Sequence, residues 1–345
     1  TNKTITEAIA VKDGKILATG SNKEILKLKN DNTRTIDANG RTLIPGLNDS
    51  HLHLTRGGRF FNAELRWDGV KSLETALQML KEQAARTPKG QWVRVIGGWS
   101  PFQFEEKRFP TPQEINDATG DVPTYVLYLY SRAWLNQAGL DALGIDKNTK
   151  APLGSSFEKD AKDNLTGALL AEPNPSILYS RIGALPPLTQ EEMVNSTKQF
   201  YRELNSLGIT SGIDAGGGHK FPKDYTGTKL LADAGEMPIR LSYYLFPQNK
   251  GAEYAEFQEW MTNNNVGHNG EIHFDHGYEL EGGGEFLAWS AGDFENFLAP
   301  QPLLEDRPTW RKDLKKIIRL HVDNGWPFRI HATYGETIAN MLDVI

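Results

Sequence analysis

The chain of 345 residues contains no cysteine, and this absence narrows the chemistry open to it. Disulfide bonds, thiolate metal ligands and a cysteine nucleophile are all excluded. Any metal ion must therefore be held by histidine, aspartate, glutamate or a modified lysine. Exported proteins can also lack cysteine, so the compartment stays open, with the cytoplasm favoured and export or a periplasmic location as alternatives.

Long apolar runs and basic stretches are also missing. No run approaches the roughly 20 apolar residues that span a bilayer, and no apolar segment typical of a signal peptide follows Thr1. A net charge of −6 argues against nucleic acid or an anionic membrane as the main partner. Hydrophobic residues at 39% and charged residues at 24% are typical of a globular protein. A small-molecule substrate is the partner that this composition favours.

What the chain does contain is a regular succession of helix-like and strand-like segments. Residues 5–20 predict a hairpin around Asp13-Gly14, and a further strand is expected at 34–37. No glycine-rich dinucleotide fingerprint follows the first strand, so the repeated βα units favour a (β/α) barrel over a doubly wound sheet. The predicted strands are 92–97, 123–130, 209–214, 239–246 and 326–332, and the predicted helices are 72–85, 113–118, 190–207, 229–234, 252–261 and 310–324.

The most informative motif is Asp49-Ser50-His51-Leu52-His53, which follows a short apolar segment. In a strand, side chains at positions i and i+2 point to the same side, so His51 and His53 present two imidazoles together. This spacing suits two ligands of one metal ion, although two ordinary polar residues at a strand end are the more frequent reading of such a pair in an arbitrary chain. Asp49 is placed to orient one of the imidazoles.

The run of residues 43–53, Leu-Ile-Pro-Gly-Leu-Asn-Asp-Ser-His-Leu-His, resembles the entry segment of the amidohydrolase superfamily. Further motifs are similar to the family-3 branch, which includes N-substituted formamide deformylase and "exoenzyme regulatory" relatives. These motifs are Arg-Phe-Pro-Thr at 108–111, Ala-Trp-Leu-Asn at 133–136, Thr-Gly-Ala-Leu-Leu-Ala-Glu at 166–172 and Gly-Trp-Pro-Phe-Arg-Ile-His-Ala at 325–332.

The resemblance implies a metal-dependent (β/α)8 barrel with a small flanking β-sandwich. It assigns residues 1–43 to part of the sandwich and residues 44–345 to an incomplete barrel with inserted segments. His51, His53 and His331 are the implied metal ligands, and one or two zinc ions are the implied cofactor. Relatives of this kind often form homodimers, so a homodimer is an expected assembly.

Three departures from the family pattern qualify this picture. The carboxylated lysine that bridges two metals in many relatives has no equivalent here, so Glu172, with Glu279 as an alternative, takes its place, or the site holds a single ion. Arg132 stands where relatives often have histidine, and it suits an anionic or carbonyl group of a substrate, although a surface ion pair is the more common role. The aspartate that acts as general base, and a further histidine ligand, are expected beyond Ile345.

Other candidates have two readings each. Asp214 ends a predicted strand before a glycine run and either lines the substrate pocket or caps the next turn. Trp99 either lines that pocket or packs in a core. A second histidine group, His268, His273 and His276, is best read as part of a solvated loop.

Two functions remain. The first is a metal-dependent hydrolase that cleaves a non-peptide C–N bond, amide or formamide-like, with a metal-activated water. The alternative is a non-catalytic or regulatory relative that binds a small ligand, because fold alone does not set function.

Overall fold

The structure is a computed structural model that describes residues 5–172, 174–217, 219–266, 277–293 and 307–345. Its internal contacts divide the chain into two units, Thr1–Pro45 and Gly46–Ile345. None of the helices in these described ranges is both long and apolar enough to span a membrane.

The strands are β1 (Ala8–Lys12), β2 (Lys15–Gly20), β3 (Leu47–Leu52), β4 (Val93–Val95), β5 (Thr124–Tyr128), β6 (Arg132–Leu135), β7 (Ser155–Lys159), β8 (Leu165–Ala171), β9 (Ile209–Asp214), β10 (Arg240–Leu245) and β11 (Tyr278–Gly283). The helices are α1 (Asn22–Ile25), α2 (Leu54–Arg59), α3 (Leu73–Arg86), α4 (Pro112–Thr119), α5 (Gln137–Ala142), α6 (Ser176–Ile182), α7 (Gln190–Ser206), α8 (Thr226–Asp233), α9 (Glu253–Asn263), α10 (Trp310–Asp323) and α11 (Gly335–Leu342).

The first unit contains the predicted hairpin. β1 and β2 pair antiparallel, and the chain reverses at Asp13 and Gly14, whose φ angles of 50° and 72° belong to a tight turn. Residues 34–37 do not form the expected strand, because no strand in the described part of this unit pairs with them. The β-sandwich therefore stays a prediction.

The second unit is built around a four-stranded parallel sheet in the order β11-β10-β9-β3. Helices α7, α8, α9 and α10 follow or precede these strands and cover the sheet. Leu54, Leu241, Leu245 and Phe257 are among the fully buried side chains of the shared core. Parallel strands end at the same edge of a sheet, so the residues that follow β3, β9 and β11 come close together.

The last predicted strand, 326–332, is wrong as a full strand. Only Phe328 forms a bridge, to Gly283 at the end of β11. The segment continues the parallel order of the sheet through three backbone hydrogen bonds: Gly283 N–H donates to the Pro327 oxygen, Arg329 N–H to the Gly283 oxygen and His331 N–H to the Glu285 oxygen. Apart from Phe328, its residues are not assigned to a strand or bridge.

A second sheet of five strands has the order β4-β5-β6-β8-β7 and mixed directions. β4 and β5 are parallel, while β6 runs antiparallel to both β5 and β8. Residues 92–97 and 123–130 were predicted as strands of the barrel, but β4 and β5 belong to this separate sheet. Along α3, β4, α4 and β5 the alternation of helix and strand is the same as in the parallel sheet, so only long-range pairing assigns these strands to a second sheet. Trp67, Trp99 and Phe104 form an aromatic core on this sheet.

Because His321 in α10 is buried, we expect the free energy of unfolding to depend on pH. Its Nδ1–H donates to the carbonyl oxygen of Ile317 at 2.9 Å, and burial lowers its pKa from 6.5 to about 4. Between these values the unfolded chain binds a proton that the folded chain excludes, so this residue weakens folding as the pH falls from 6.5 to 4. The penalty reaches about 3 kcal/mol at pH 4.

We expect His321→Gln to flatten the fall in the free energy of unfolding over this pH range. Urea unfolding at a series of pH values measures the difference between parent and variant. Other groups contribute equally to both proteins and cancel. Parallel pH profiles for the two proteins would contradict the assignment.

Candidate metal centre

The two histidines of the His-x-His motif lie at the carboxyl end of the parallel sheet. His51 is the second-to-last residue of β3, and His53 directly precedes the first residue of α2. Their ring centroids are 5.6 Å apart at an interplanar angle of 80°. His51 is more than half exposed, whereas His53 is largely buried. The motif thus presents two imidazoles side by side, one of them open to a ligand.

A carboxylate that the sequence analysis missed completes the group. Glu285, two residues after β11, lies with Oε2 at 3.4 Å from Nε2 of His51 and Oε1 at 3.7 Å from Nε2 of His53. One donor atom of each of these residues lies within 4.8 Å of the others, and no other trio in the described ranges meets this condition. Glu285 is buried, with 7% of its surface exposed. The signal in the sequence was its position directly after a strand and a glycine run, Gly282-Gly283-Gly284.

His53 is oriented by the backbone that follows β9. Its Nδ1–H donates to the carbonyl oxygen of Gly216 at 2.5 Å, so the lone pair of the neutral ring is on Nε2, the atom that faces Glu285. Burial, followed by the charge of Arg56, lowers the pKa of His53 to about 4. His53 is therefore neutral at pH 7, which is the form that binds a metal ion.

His331 contacts the same carboxylate from the other side. Its Nδ1 lies 3.2 Å from Oε2 of Glu285, and its backbone N–H donates to the Glu285 carbonyl oxygen at 2.9 Å. Its ring stacks on Phe286 with centroids 5.5 Å apart. The structure therefore brings the three predicted histidines around one glutamate, although the trio with metal-ligand spacing is His51, His53 and Glu285. A direct metal bond from His331 stays a prediction.

The charge of Glu285 is set by two opposed influences. Burial is the largest and raises its pKa, but the hydrogen bond with His331 and the charges of the surrounding histidines outweigh it, so the pKa is lowered. The carboxylate is therefore ionised at neutral pH and supplies the negative charge of the group.

Asp214 holds the backbone segments next to the metal-binding group. It is fully buried, and its Oδ2 accepts from the backbone N–H of Thr55 at 2.7 Å while Oδ1 accepts from that of Gly216 at 3.0 Å. Burial raises its pKa to about 6. Its two carboxylate oxygens thus hold the backbone of Thr55 and Gly216, which agrees with the second of its two predicted roles, capping the turn after β9. A substrate contact by Asp214 stays a prediction.

Two further predicted residues lie away from the cluster. Trp99 is buried in the aromatic core of the five-stranded sheet and donates from Nε1 to the carbonyl oxygen of Leu127 at 2.8 Å, so its role is packing. Arg132 begins β6 in the same sheet, with its guanidinium 4.7 Å from the centre of the Phe109 ring. A substrate contact by Arg132 stays a prediction.

The carboxylate beside the histidines is Glu285, and neither glutamate expected from the sequence belongs to this group. Glu172 is exposed and directly follows β8, in the other sheet, so it is not a member of the histidine cluster. Glu279 lies in the body of β11 instead of at its end. His268, His273 and His276 lie outside the described residues.

The donor set fits a divalent metal ion. Two imidazole nitrogens and one ionised carboxylate match the ligands that zinc prefers. The second nitrogen of His53 is engaged by a carbonyl oxygen, as metal-bound histidines usually require. Zinc itself, and the number of ions, stay predictions.

The chain was compared with known protein families and curated proteins. The family model described as "Amidohydrolase family" matches residues 34–345. The putative amidohydrolase YtcJ of Bacillus subtilis is 33% identical over 210 residues, which are 60% of this chain and 38% of that protein. The N-substituted formamide deformylase of Arthrobacter pascens is 28% identical over 240 residues, 68% of this chain and 43% of that protein.

Solved structures agree at the level of the fold. An uncharacterised metal-dependent hydrolase from Pyrococcus horikoshii has a TM-score of 0.61 at 21% identity, and covers 97% of this chain and 63% of its own. A similar protein from Pyrococcus furiosus has a TM-score of 0.60 at 19% identity, with 97% and 65% covered. This chain spans about two fifths of the length of the curated relatives above. With the family model matching nearly all of its residues, the chain belongs to the amidohydrolase family.

Proposed function

We propose that the protein is a metal-dependent hydrolase that cleaves a non-peptide C–N bond, as in an amide or an N-substituted formamide. The observation that carries this proposal is the convergence of His51, His53 and Glu285 at the carboxyl end of a parallel sheet. The similarity to an N-substituted formamide deformylase supports the choice of bond.

His51, His53 and Glu285 would hold the metal ion, and we favour zinc. When bound, such an ion lowers the pKa of a water molecule and polarises a substrate carbonyl. The protein's own contribution is to keep the donors in place. The carbonyl of Gly216 holds the His53 ring, and His331 holds the Glu285 carboxylate. Since this chain spans about two fifths of the length of these curated relatives, the activity of the whole protein is part of the proposal.

A hydrolysis assay on the complete, metal-loaded protein tests this function. We expect release of formate from an N-substituted formamide, loss of this activity on treatment with a chelator, and its return with zinc. Glu285→Gln should lower kcat/KM by roughly 1,000-fold, because both a ligand and a negative charge are lost. Glu172→Gln is the matched control and should keep the parent's activity.

The second candidate function is a non-catalytic relative that binds a small ligand. The exposed position of His51 beside a buried carboxylate is compatible with ligand binding as well as catalysis. Metal binding without turnover of any amide in a broad screen would favour this alternative and contradict the hydrolase proposal. We also propose a small-molecule substrate and a homodimeric assembly.

A further inference from the structure

A partly buried arginine, Arg56, lies next to the metal-binding group. It is the third residue of α2 and follows His53 by three positions, one helical turn from the end of β3. Its guanidinium carbon is 5.6 Å from the centre of the Tyr179 ring, and Tyr130 lies close enough to help raise its pKa. The two tyrosine rings are themselves 5.5 Å apart.

These contacts place Arg56 between the two sheets of the second unit. α2 starts from the metal-binding sheet, whereas Tyr130 follows β5 and Tyr179 belongs to α6, both from the region of the five-stranded sheet. Arg56 also lies close enough to His53 and His219 for its charge to lower the pKa of both imidazoles. The cation therefore lies within electrostatic reach of the metal-binding group and contacts residues from the region of the second sheet.

Neighbouring arginines have carboxylate partners, and Arg56 differs from them. Arg59 pairs with Asp224 at 2.9 Å, and Arg66 pairs with Asp68 at 3.0 Å. Across the described ranges, no carboxylate oxygen lies within 4.0 Å of the Arg56 guanidinium. Asp214, which its charge reaches, is already engaged by two backbone N–H groups.

A cation removed from water without an anion is costly, and such groups are usually paired. Tyr130 does not neutralise Arg56, because a phenol supplies a hydrogen bond and no charge. A phenol also has an O–H that donates to an anion. The two side chains therefore supply one positive charge and several N–H and O–H donors, which suit the two oxygens of a carboxylate.

We propose that Arg56 and Tyr130 form a subsite for a carboxylate carried by the substrate, so that the protein prefers anionic amides or formamides. This inference rests on the proposed hydrolase function and names the class of its substrate. Arg56 is thereby a specificity residue that contacts the part of the substrate distant from the reacting bond.

A pair of substrates of nearly equal shape tests the subsite. These are 4-formamidobenzoate and its neutral counterpart 4-formamidobenzamide, assayed with the complete metal-loaded protein. A charge-assisted pair of hydrogen bonds corresponds to roughly 10- to 100-fold in kcat/KM. We expect a preference of that size for the anionic substrate, reduced to within about 3-fold in Arg56→Gln.

Arg66→Gln is the matched control. It removes the same charge from a neighbouring position where Asp68 already pairs with it, so the preference should persist. Tyr130→Phe should weaken the preference less than Arg56→Gln does, because the charge remains. Equal loss in the Arg56 and Arg66 variants would show a diffuse effect of charge and overturn the proposal.

Two readouts keep this test separate from that of the hydrolase. If neither compound is hydrolysed, the binding of both compounds to the protein is measured by calorimetry. Tighter binding of the carboxylate compound to the parent, but not to Arg56→Gln, supports the proposal. If Arg56→Gln is unfolded by its melting curve, the parent's own ratio between the two compounds decides. A ratio near one in the parent overturns the subsite even when hydrolysis proceeds.

Discussion

Glu285→Gln should abolish tight binding of a divalent metal, whereas Glu172→Gln should bind as much metal as the parent. Glu285 supplies the carboxylate between His51 and His53, and an amide in its place has neither the charge nor the basicity to hold the ion. We expect the affinity for zinc to fall by roughly 100-fold or more, since changes even to residues that merely support ligands cost 10–100-fold.

Elemental analysis after dialysis, followed by competition with a chromogenic chelator, measures this difference. The double variant His51→Ala/His53→Ala should also lose the metal. Circular dichroism of each variant controls for folding. Loss of metal in Glu172→Gln with retention in Glu285→Gln would contradict the site and would restore the assignment made from the sequence.

The second large effect concerns a glycine, Gly282, in the strand that leads to Glu285. A Cβ at this position would lie 1.9 Å from the carbonyl oxygen of Pro327 and 2.7 Å from its carbonyl carbon. Both are backbone atoms of the segment that continues the sheet, so no side-chain rotation relieves the overlap. We expect Gly282→Ala to lower the free energy of unfolding by at least about 2 kcal/mol.

Gly335→Ala is the matched control, because a Cβ at that position meets no atom within 4 Å and the residue is the first of α11. It should leave stability unchanged or raise it slightly, by up to about 1 kcal/mol. Urea unfolding of the three proteins gives the comparison. The Gly282 variant should also bind metal more weakly, since the shift of β11 moves Glu285. Unchanged unfolding of this variant would contradict the close approach of the two segments.

The sequence was informative where the structure depends on neighbours in the chain. The hairpin at Asp13-Gly14 forms because a tight turn needs residues that tolerate positive φ, and that requirement is local. The pairing of His51 with His53 follows from the two-residue period of a strand, which is local as well. The family could also be identified from the sequence, because its motifs occur in order along the chain.

The sequence did not predict which residues meet across the sheet. Glu285 is 234 positions from His51 in the numbering, and its place beside the histidines depends on the order β11-β10-β9-β3. Glu172 was a reasonable alternative by sequence, but its strand belongs to the other sheet. Trp99 is likewise of a residue type that is common in substrate pockets, but in the structure it packs in a hydrophobic core.

Local sequence therefore determined the two histidines, the hairpin and the family, since turn geometry and strand period need only adjacent residues. The tertiary structure alone decided which carboxylate joins the histidines, that Asp214 is buried behind them, and that Arg56 stands without a carboxylate partner among the described residues. The physical reason is that strand order, burial and the pairing of charges are set by contacts between distant segments, which no local pattern encodes.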